Sequence, residues 1–214
     1  MKIDINIPTS LSDITLRQYQ RFEKECKDLE NESKLTQKIL DIFCGLNLKD
    51  SLKVKSVDAE AIKDIVLDML SERPQRITSF NMNGIEYRII PDLNDISLGE
   101  QIDLDENITS YETMHLAMAV LYRPIKQEVK GLYNVVDYEP LKYDMMDMPM
   151  SAVVYGTVFF YNLGMDLLKN TVDYLQEAEA NSMAQVDLMQ NGDGSLRYLL
   201  SLTEILQDLN ISLN

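Results

Sequence analysis

Apolar positions in the first seventy residues recur at intervals of three and four, the period of helices with one buried face. Thr15 and Gln18 have the capping-box spacing, in which hydroxyl and amide satisfy each other's orphan backbone donors. Ile14 and Tyr19 have the spacing of a hydrophobic staple across it. A helix is therefore predicted from Leu16, with Leu16, Tyr19 and Phe22 at helical spacing and Arg21, Glu23, Lys24 and Glu25 between them. A second is predicted from Ser33 to Phe43, with Leu35, Ile39, Ile42 and Phe43 on one side and Gly45 as its stop. A third follows Val57, capped by Asp58, repeats Ile62, Ile65, Val66, Met69 and Leu70, and ends at Pro74.

The period then changes. Ile77–Phe80 and Ile85–Ile90 flank Asn81-Met82-Asn83-Gly84, and Asn-Gly is the strongest short hairpin signal because a type I′ turn needs positive φ at both central residues. A lone hairpin is marginal in water, so it should lie on helices or recruit a strand from Met1–Ile7 or from Leu132–Tyr138. Leu93-Asn94-Asp95-Ile96-Ser97-Leu98 then echoes Leu11-Ser12-Asp13-Ile14-Thr15-Leu16, and Ser97 with Glu100 forms a second capping box. The sequences after Leu16 and Leu98 diverge at once, so the echo reads as repeated capping chemistry and not as a duplicated domain.

Thr109 or Ser110 should start a helix through Met114, Met118 and Leu121, ended by Pro124. A long central helix is predicted from Pro149 to Glu179, with the proline in the first turn, where its missing N–H matters least. Asn191–Ser195 is a flexible loop that isolates a last amphipathic helix, striped by Leu196, Leu199, Leu200, Leu206 and Leu209. The predicted fold is mainly α, of the α+β class: one helical domain over residues 1–190 with a small β-hairpin around Asn83-Gly84 and a sub-boundary open near 75–92. The loop 191–195 and a C-terminal docking helix over 196–214 follow it.

Composition narrows the class. A chain of 214 residues, 45% hydrophobic, can bury a core without staples. Its two cysteines, Cys26 and Cys44, rule out a disulfide scaffold, show no C-x-x-C spacing and suit a reduced, cytoplasmic fold. The start of the chain lacks the apolar run of a signal peptide, and Met148–Leu168 is too interrupted for a membrane span. The formal charge of -15 opposes nucleic acid and anionic membranes and favours basic protein surfaces as partners. That charge is local. Residues through Arg88 carry -1 and the rest -14, and Asp92–Glu112 holds seven acids without one Lys or Arg.

Candidate chemistry is sparse. Asp103-Leu104-Asp105-Glu106-Asn107 begins like a calcium loop, but Ile108 stands where the turn needs glycine and Met114 where the bidentate glutamate belongs. His115 is the only histidine, and it reads as a hydrogen-bonded residue near the core. Met145, Met146, Met148 and Met150 could bind Cu(I) through their thioethers, yet without Cys or His beside them they read as adaptable packing. Neither phosphate-loop motif occurs. The expectation is a non-enzymatic chain with no cofactor and no metal, docking through Asp92, Asp95, Glu100, Asp103, Asp105 and Glu106 and through Leu199, Leu200, Leu206 and Leu209. That C-terminal helix would dock either on its own domain or in a partner's groove.

Three stretches carry a family resemblance. Ile7–Tyr19, Ile90–Glu100 with Ile102-Asp103-Leu104-Asp105, and Met114–Ile125, together with Met148-Pro149-Met150, resemble a protein family of tailed phages that infect Bacteroidetes, including the crAss-like phages. The resemblance spreads over most of the chain and implies a phage structural or assembly protein. It would be either a virion component (a portal-proximal ring, neck or packaged cargo protein) or a tail-assembly chaperone absent from the virion. Other phage structural proteins, or further copies of the chain, are the implied partners, and the implied location is the host cytoplasm during assembly and then the virion. Charge alone admits a different class, a DNA-mimicking inhibitor of a host enzyme, which requires carboxylates arrayed along one surface. A hydrolase would require a deep pocket around His115 with several acids of perturbed pKa.

Overall fold

Helix α1 (Leu16–Cys26) begins where its capping box places it: the Gln18 amide N–H donates to the Thr15 hydroxyl at 3.2 Å, and the Thr15 N–H donates to the Gln18 side chain at 2.9 Å. A computed structural model describes residues 5–72, 75–93 and 96–178, the last twelve as backbone. Helix α2 (Glu32–Cys44) is capped by Asn31 and stopped by Gly45 at φ +68°, the left-handed conformation that glycine adopts freely. A short helix α3 (Leu48–Ser51), capped by Asn47, leads to α4 (Ser56–Leu70).

Helix α4 departs from expectation at both ends. Lys55 and not Asp58 is its N-cap, so Asp58 lies in the first turn, where a carboxylate still suits the positive end of the helix dipole. The helix stops at Leu70 with Ser71 as C-cap, before Pro74, which lies outside the described residues.

Strands β1 (Ser79–Met82) and β2 (Ile85–Ile89) pair in register around Asn83-Gly84, whose φ values of +53° and +77° are those of a type I′ turn. Asn81 and Met82 thus belong to β1 and only two residues make the turn. Helices α5 (Leu98–Asn107) and α6 (Met114–Leu121) follow, then β3 (Tyr122–Val129) and β4 (Leu132–Val135). The sheet is antiparallel in the order β1-β2-β3-β4.

The strand that β2 recruits is β3, whose first residues are predicted from the sequence as the end of a helix stopped by Pro124. Leu132–Val135 does form a strand, but beside β3 and not beside the hairpin. Pro124 explains the turnover. The residue before a proline avoids helical backbone, so α6 ends at Leu121 and the chain becomes extended at Tyr122 with no intervening loop. Pro124 pairs with Tyr87 at a position that needs no N–H toward β2, and its carbonyl accepts from the Val136 N–H at 3.0 Å, just past the end of β4. Helix α6 starts at Met114 and not at Thr109 or Ser110, and Thr113 is its N-cap without a side-chain cap bond. The Thr113 hydroxyl instead donates to the Asn107 carbonyl at 3.1 Å, tying α6 to the end of α5. A second two-residue turn, Lys130-Gly131, joins β3 to β4 at φ +54° and +82°.

Helix α7 (Met150–Ala178) enters the core through its first turns, where Met150, Ala152, Val153 and Val154 are buried. Its start and that of α1 hold each other. Leu16 N–H donates to Met148 O at 3.0 Å and Arg17 N–H to Met146 O at 2.7 Å, while Met150 N–H donates to Ile14 O at 2.8 Å. Each helix therefore gives orphan first-turn donors to the chain entering the other. Ser12 and Ser151 hydroxyls meet at 2.8 Å, and Arg17 pairs with Asp147 at 2.9 Å and Asp144 at 3.3 Å around the junction. Met114, Met118, Met145, Met148 and Met150 are fully buried here, so the methionine run packs the core, with Met146 half-buried at its margin. Residues on both sides of 75–92 join one hydrophobic core.

Two glycines sit in helices in opposite surroundings. A Cβ on Gly99 meets open space, whereas one on Gly156 would stand 3.2 Å from the Met118 sulfur and 3.2 Å from the ring of Tyr122. That ring is fixed by its hydroxyl, which donates to Ile77 O at 2.8 Å and Ala152 O at 3.1 Å. Gly99→Ala should therefore raise the urea unfolding free energy by about 0.5 kcal/mol, and Gly156→Val should lower it by about 2 kcal/mol through overpacking.

Candidate functional site

Arg123 stands alone as a cation in the apolar run that forms α6 and the start of β3, and its side chain is only 8% exposed. A buried guanidinium needs a carboxylate and carbonyl acceptors. Its Nη2 pairs with Glu100 Oε1 at 2.5 Å, its Nε donates to Val120 O at 3.1 Å, and its Nη1 reaches Val136 O at 3.4 Å. The guanidinium carbon lies 5.7 Å from the ring centre of Tyr138, whose hydroxyl donates to Asp103 Oδ2 at 2.7 Å. Glu100 is in turn the partner of the second capping box, accepting from the Ser97 N–H at 2.6 Å. Thus α5, α6, β3 and the chain after β4 converge on one polar cluster.

Burial pushes the Glu100 carboxyl up, but the hydrogen bonds from Ser97 and the charge and hydrogen bond of Arg123 outweigh it, leaving the group below the usual carboxylate range. Tyr138 is held far above the ordinary tyrosine value by burial and by its bond to Asp103. The cluster forms part of the wall of an open cleft of about 690 Å³, which also exposes Asp92, Lys126, Gln127 and Asp137. Lys126 faces Asp137 across 3.8 Å, so both signs of charge line the same wall.

The predicted acidic surface separates into three groups. Glu100 points inward and serves the fold, and Asp103 is half-buried on Tyr138. Asp92, Asp105 and Glu106 are exposed, while Asp95 lies outside the described residues. Contrary to the expectation from charge, Glu100 is no part of a docking face, because its carboxylate is 9% exposed and bonded at both oxygens. Glu100 is thereby removed from any row of exposed carboxylates of the kind that DNA mimicry requires. Leu199, Leu200, Leu206 and Leu209 lie outside the described residues.

Helix α5 carries a feature that charge counting misses. Its inner face is Glu100, Leu104 and Ile108, spaced by four and buried. Its outer face should be polar, yet Leu98 is 74% exposed and Ile102 46% exposed, one turn apart, with Asp105 and Glu106 on the next turn. The result is an apolar ridge ending in two exposed acids. The sequence signal was present, since leucine and isoleucine at i and i+4 beside a second apolar row mark a helix with two apolar faces.

His115 is placed away from the cleft. Its Nδ1 lies 3.2 Å from Gln20 Nε2, which also donates to Tyr111 O at 2.6 Å, so the ring ties α6 to α1 as a structural histidine. Burial lowers its pKa. Among the described residues no three His, Cys, Asp or Glu side chains gather as metal ligands, and none of the helices is long and apolar enough to cross a membrane. Cys26 and Cys44 are buried, unpaired thiols whose pKa values are raised by burial. No family model, curated protein or solved structure matches this chain.

Removing one half of the buried pair leaves the other uncompensated. Arg123→Met should cost about 3–5 kcal/mol of unfolding free energy, and adding Glu100→Gln should recover part of the loss, as read from urea midpoints. The pH profile has a separate cause. Because His115 is depressed in the fold, the unfolded chain takes up its proton first, so the stability it confers is full above pH 6.5 and is lost as pH falls through the folded value. His115→Gln should flatten the fall in urea midpoint between pH 7 and pH 5.

Proposed function

We propose that this chain is a non-enzymatic component of a phage particle, working through contacts with other phage proteins. The observation that carries the reading is the outer ridge of α5, where Leu98 and Ile102 are exposed and flanked by Asp105 and Glu106. An apolar centre with a charged margin is the composition of a protein–protein interface, and the acids select a partner with lysine or arginine beside an apolar groove. The groups able to do chemistry point the same way. Glu100, Arg123, Tyr138 and His115 are each committed to bonds within the fold. The resemblance to phage structural and assembly proteins supplies the setting, the host cytoplasm during assembly and then the virion.

A tail-assembly chaperone would use the same kind of surface, so the two versions are separated by where the chain ends up. Mass spectrometry of purified virions should find it at many copies per particle; its absence from virions that are otherwise complete would overturn the virion assignment in favour of the chaperone. Leu98→Glu with Ile102→Glu should leave the unfolding free energy within about 0.5 kcal/mol of the parent, since both side chains are exposed, and should abolish incorporation. Full incorporation of that variant would remove the ridge from the interface.

A further inference from the structure

The nearly neutral N-terminal part of the chain carries an apolar surface of its own. Helices α2 and α4 and the chain around α3 leave between them a groove of about 300 Å³, with Leu40, Val54 and Ala59 in its lining and Leu52 at its edge. Leu48 lies one helical turn before Leu52 and Val57 follows in the first turn of α4, and the three are 61%, 75% and 79% exposed. A row of exposed apolar side chains beside a groove marks an interaction site.

The charges along this row are basic. Between Asn47 and Val57 stand Lys49, Lys53 and Lys55 against a single acid, Asp50, which Lys53 holds at 2.7 Å. Counting Asp58, which follows the row, still leaves it positive. In the groove's lining Lys34 is balanced by Glu60, so the surplus of positive charge belongs to the rim. Lys49 and Lys55 are exposed and pair with no carboxylate among the described residues.

The α5 ridge is the complement of this surface. Leu98 and Ile102 have the same one-turn spacing as Leu48 and Leu52, and the exposed Asp105 and Glu106 follow them where lysines follow the other pair. Two copies meeting ridge to ridge would bring acids together in a chain of formal charge -15, whereas ridge to groove brings each acid toward a lysine. Such a contact uses a different surface on each of the two copies.

We infer that the groove between α2, α3 and α4 receives the α5 ridge of a second copy of this chain, so that copies join head to tail. The inference rests on the reading of the ridge as an interface and names its partner, and it is argued from charge and apolar complementarity within one chain.

The test uses the full chain. Its mass by sedimentation equilibrium should rise above that of one chain with increasing concentration, and less so in high salt, which screens the charges. Leu98→Glu with Ile102→Glu should hold it at the mass of one chain, and so should Leu48→Glu with Leu52→Glu, each with an unchanged urea midpoint because the side chains are exposed. An equimolar mixture of the two variants should give a species of two chains and none larger, since each retains the surface that the other lacks. A full chain that is monomeric at every concentration would overturn the inference, as would association untouched by the groove variant, or a mixture that stays monomeric. If the chain is monomeric and the ridge variant still fails to enter virions, the ridge remains an interface for a different protein and the inference of a second copy falls alone.

Discussion

The reciprocal hold between the starts of α1 and α7 is the constraint on which the rest of this structure depends. A helix leaves its first N–H groups without partners, and burying them unpaired costs free energy comparable to lost hydrogen bonds. Here Leu16 and Arg17 find carbonyls at Met148 and Met146, and Met150 finds one at Ile14. Two segments distant in sequence are thereby fixed against each other by backbone chemistry alone, and the methionines between them can be fully buried without leaving a polar group stranded. Arg17 with Asp144 and Asp147 decorates the outside of the joint, but these pairs are about half exposed and contribute little.

With that joint in place, the second half of the molecule is organised by the buried pair of Arg123 and Glu100. The pair links the capping box of α5 to the last carbonyls of α6 and to the chain leaving β4. Replacing such a pair with apolar side chains is often neutral for stability. Its physical consequence is positional: α5 is held with Leu104 and Ile108 inward, which turns Leu98 and Ile102 outward. The exposed apolar ridge is thus a product of which face of α5 the internal pair occupies.

Capping boxes, the Asn-Gly turn, the Gly45 stop and the start of α7 after Pro149 were legible in the sequence because each is a local device whose chemistry lies within a few residues. Helix α4 is capped three residues before Asp58, a residue with capping chemistry that instead serves inside the first turn, where its carboxylate suits the helix dipole. Strand β3 was illegible for a different reason. Its apolar residues continue the run of α6, and only the pairing with β2, set by tertiary contact, makes Tyr122–Val129 extended. The second type I′ turn was hidden by lysine in the place where asparagine or aspartate gives the signal. Charge counting located the acidic segment but not its directions: Glu100 serves the interior, and the residues that shape the proposed surface are the apolar Leu98 and Ile102.

The proposed function requires α5 to present its outer ridge to a basic, partly apolar neighbour in an assembled particle. A cryo-electron-microscopy reconstruction of the intact phage particle tests it most directly. Expected is density from a neighbouring protein packed on Leu98 and Ile102, with lysine or arginine side chains beside Asp105 and Glu106. A reconstruction in which this chain is present and the ridge faces solvent would rule out a docking role for Leu98 and Ile102.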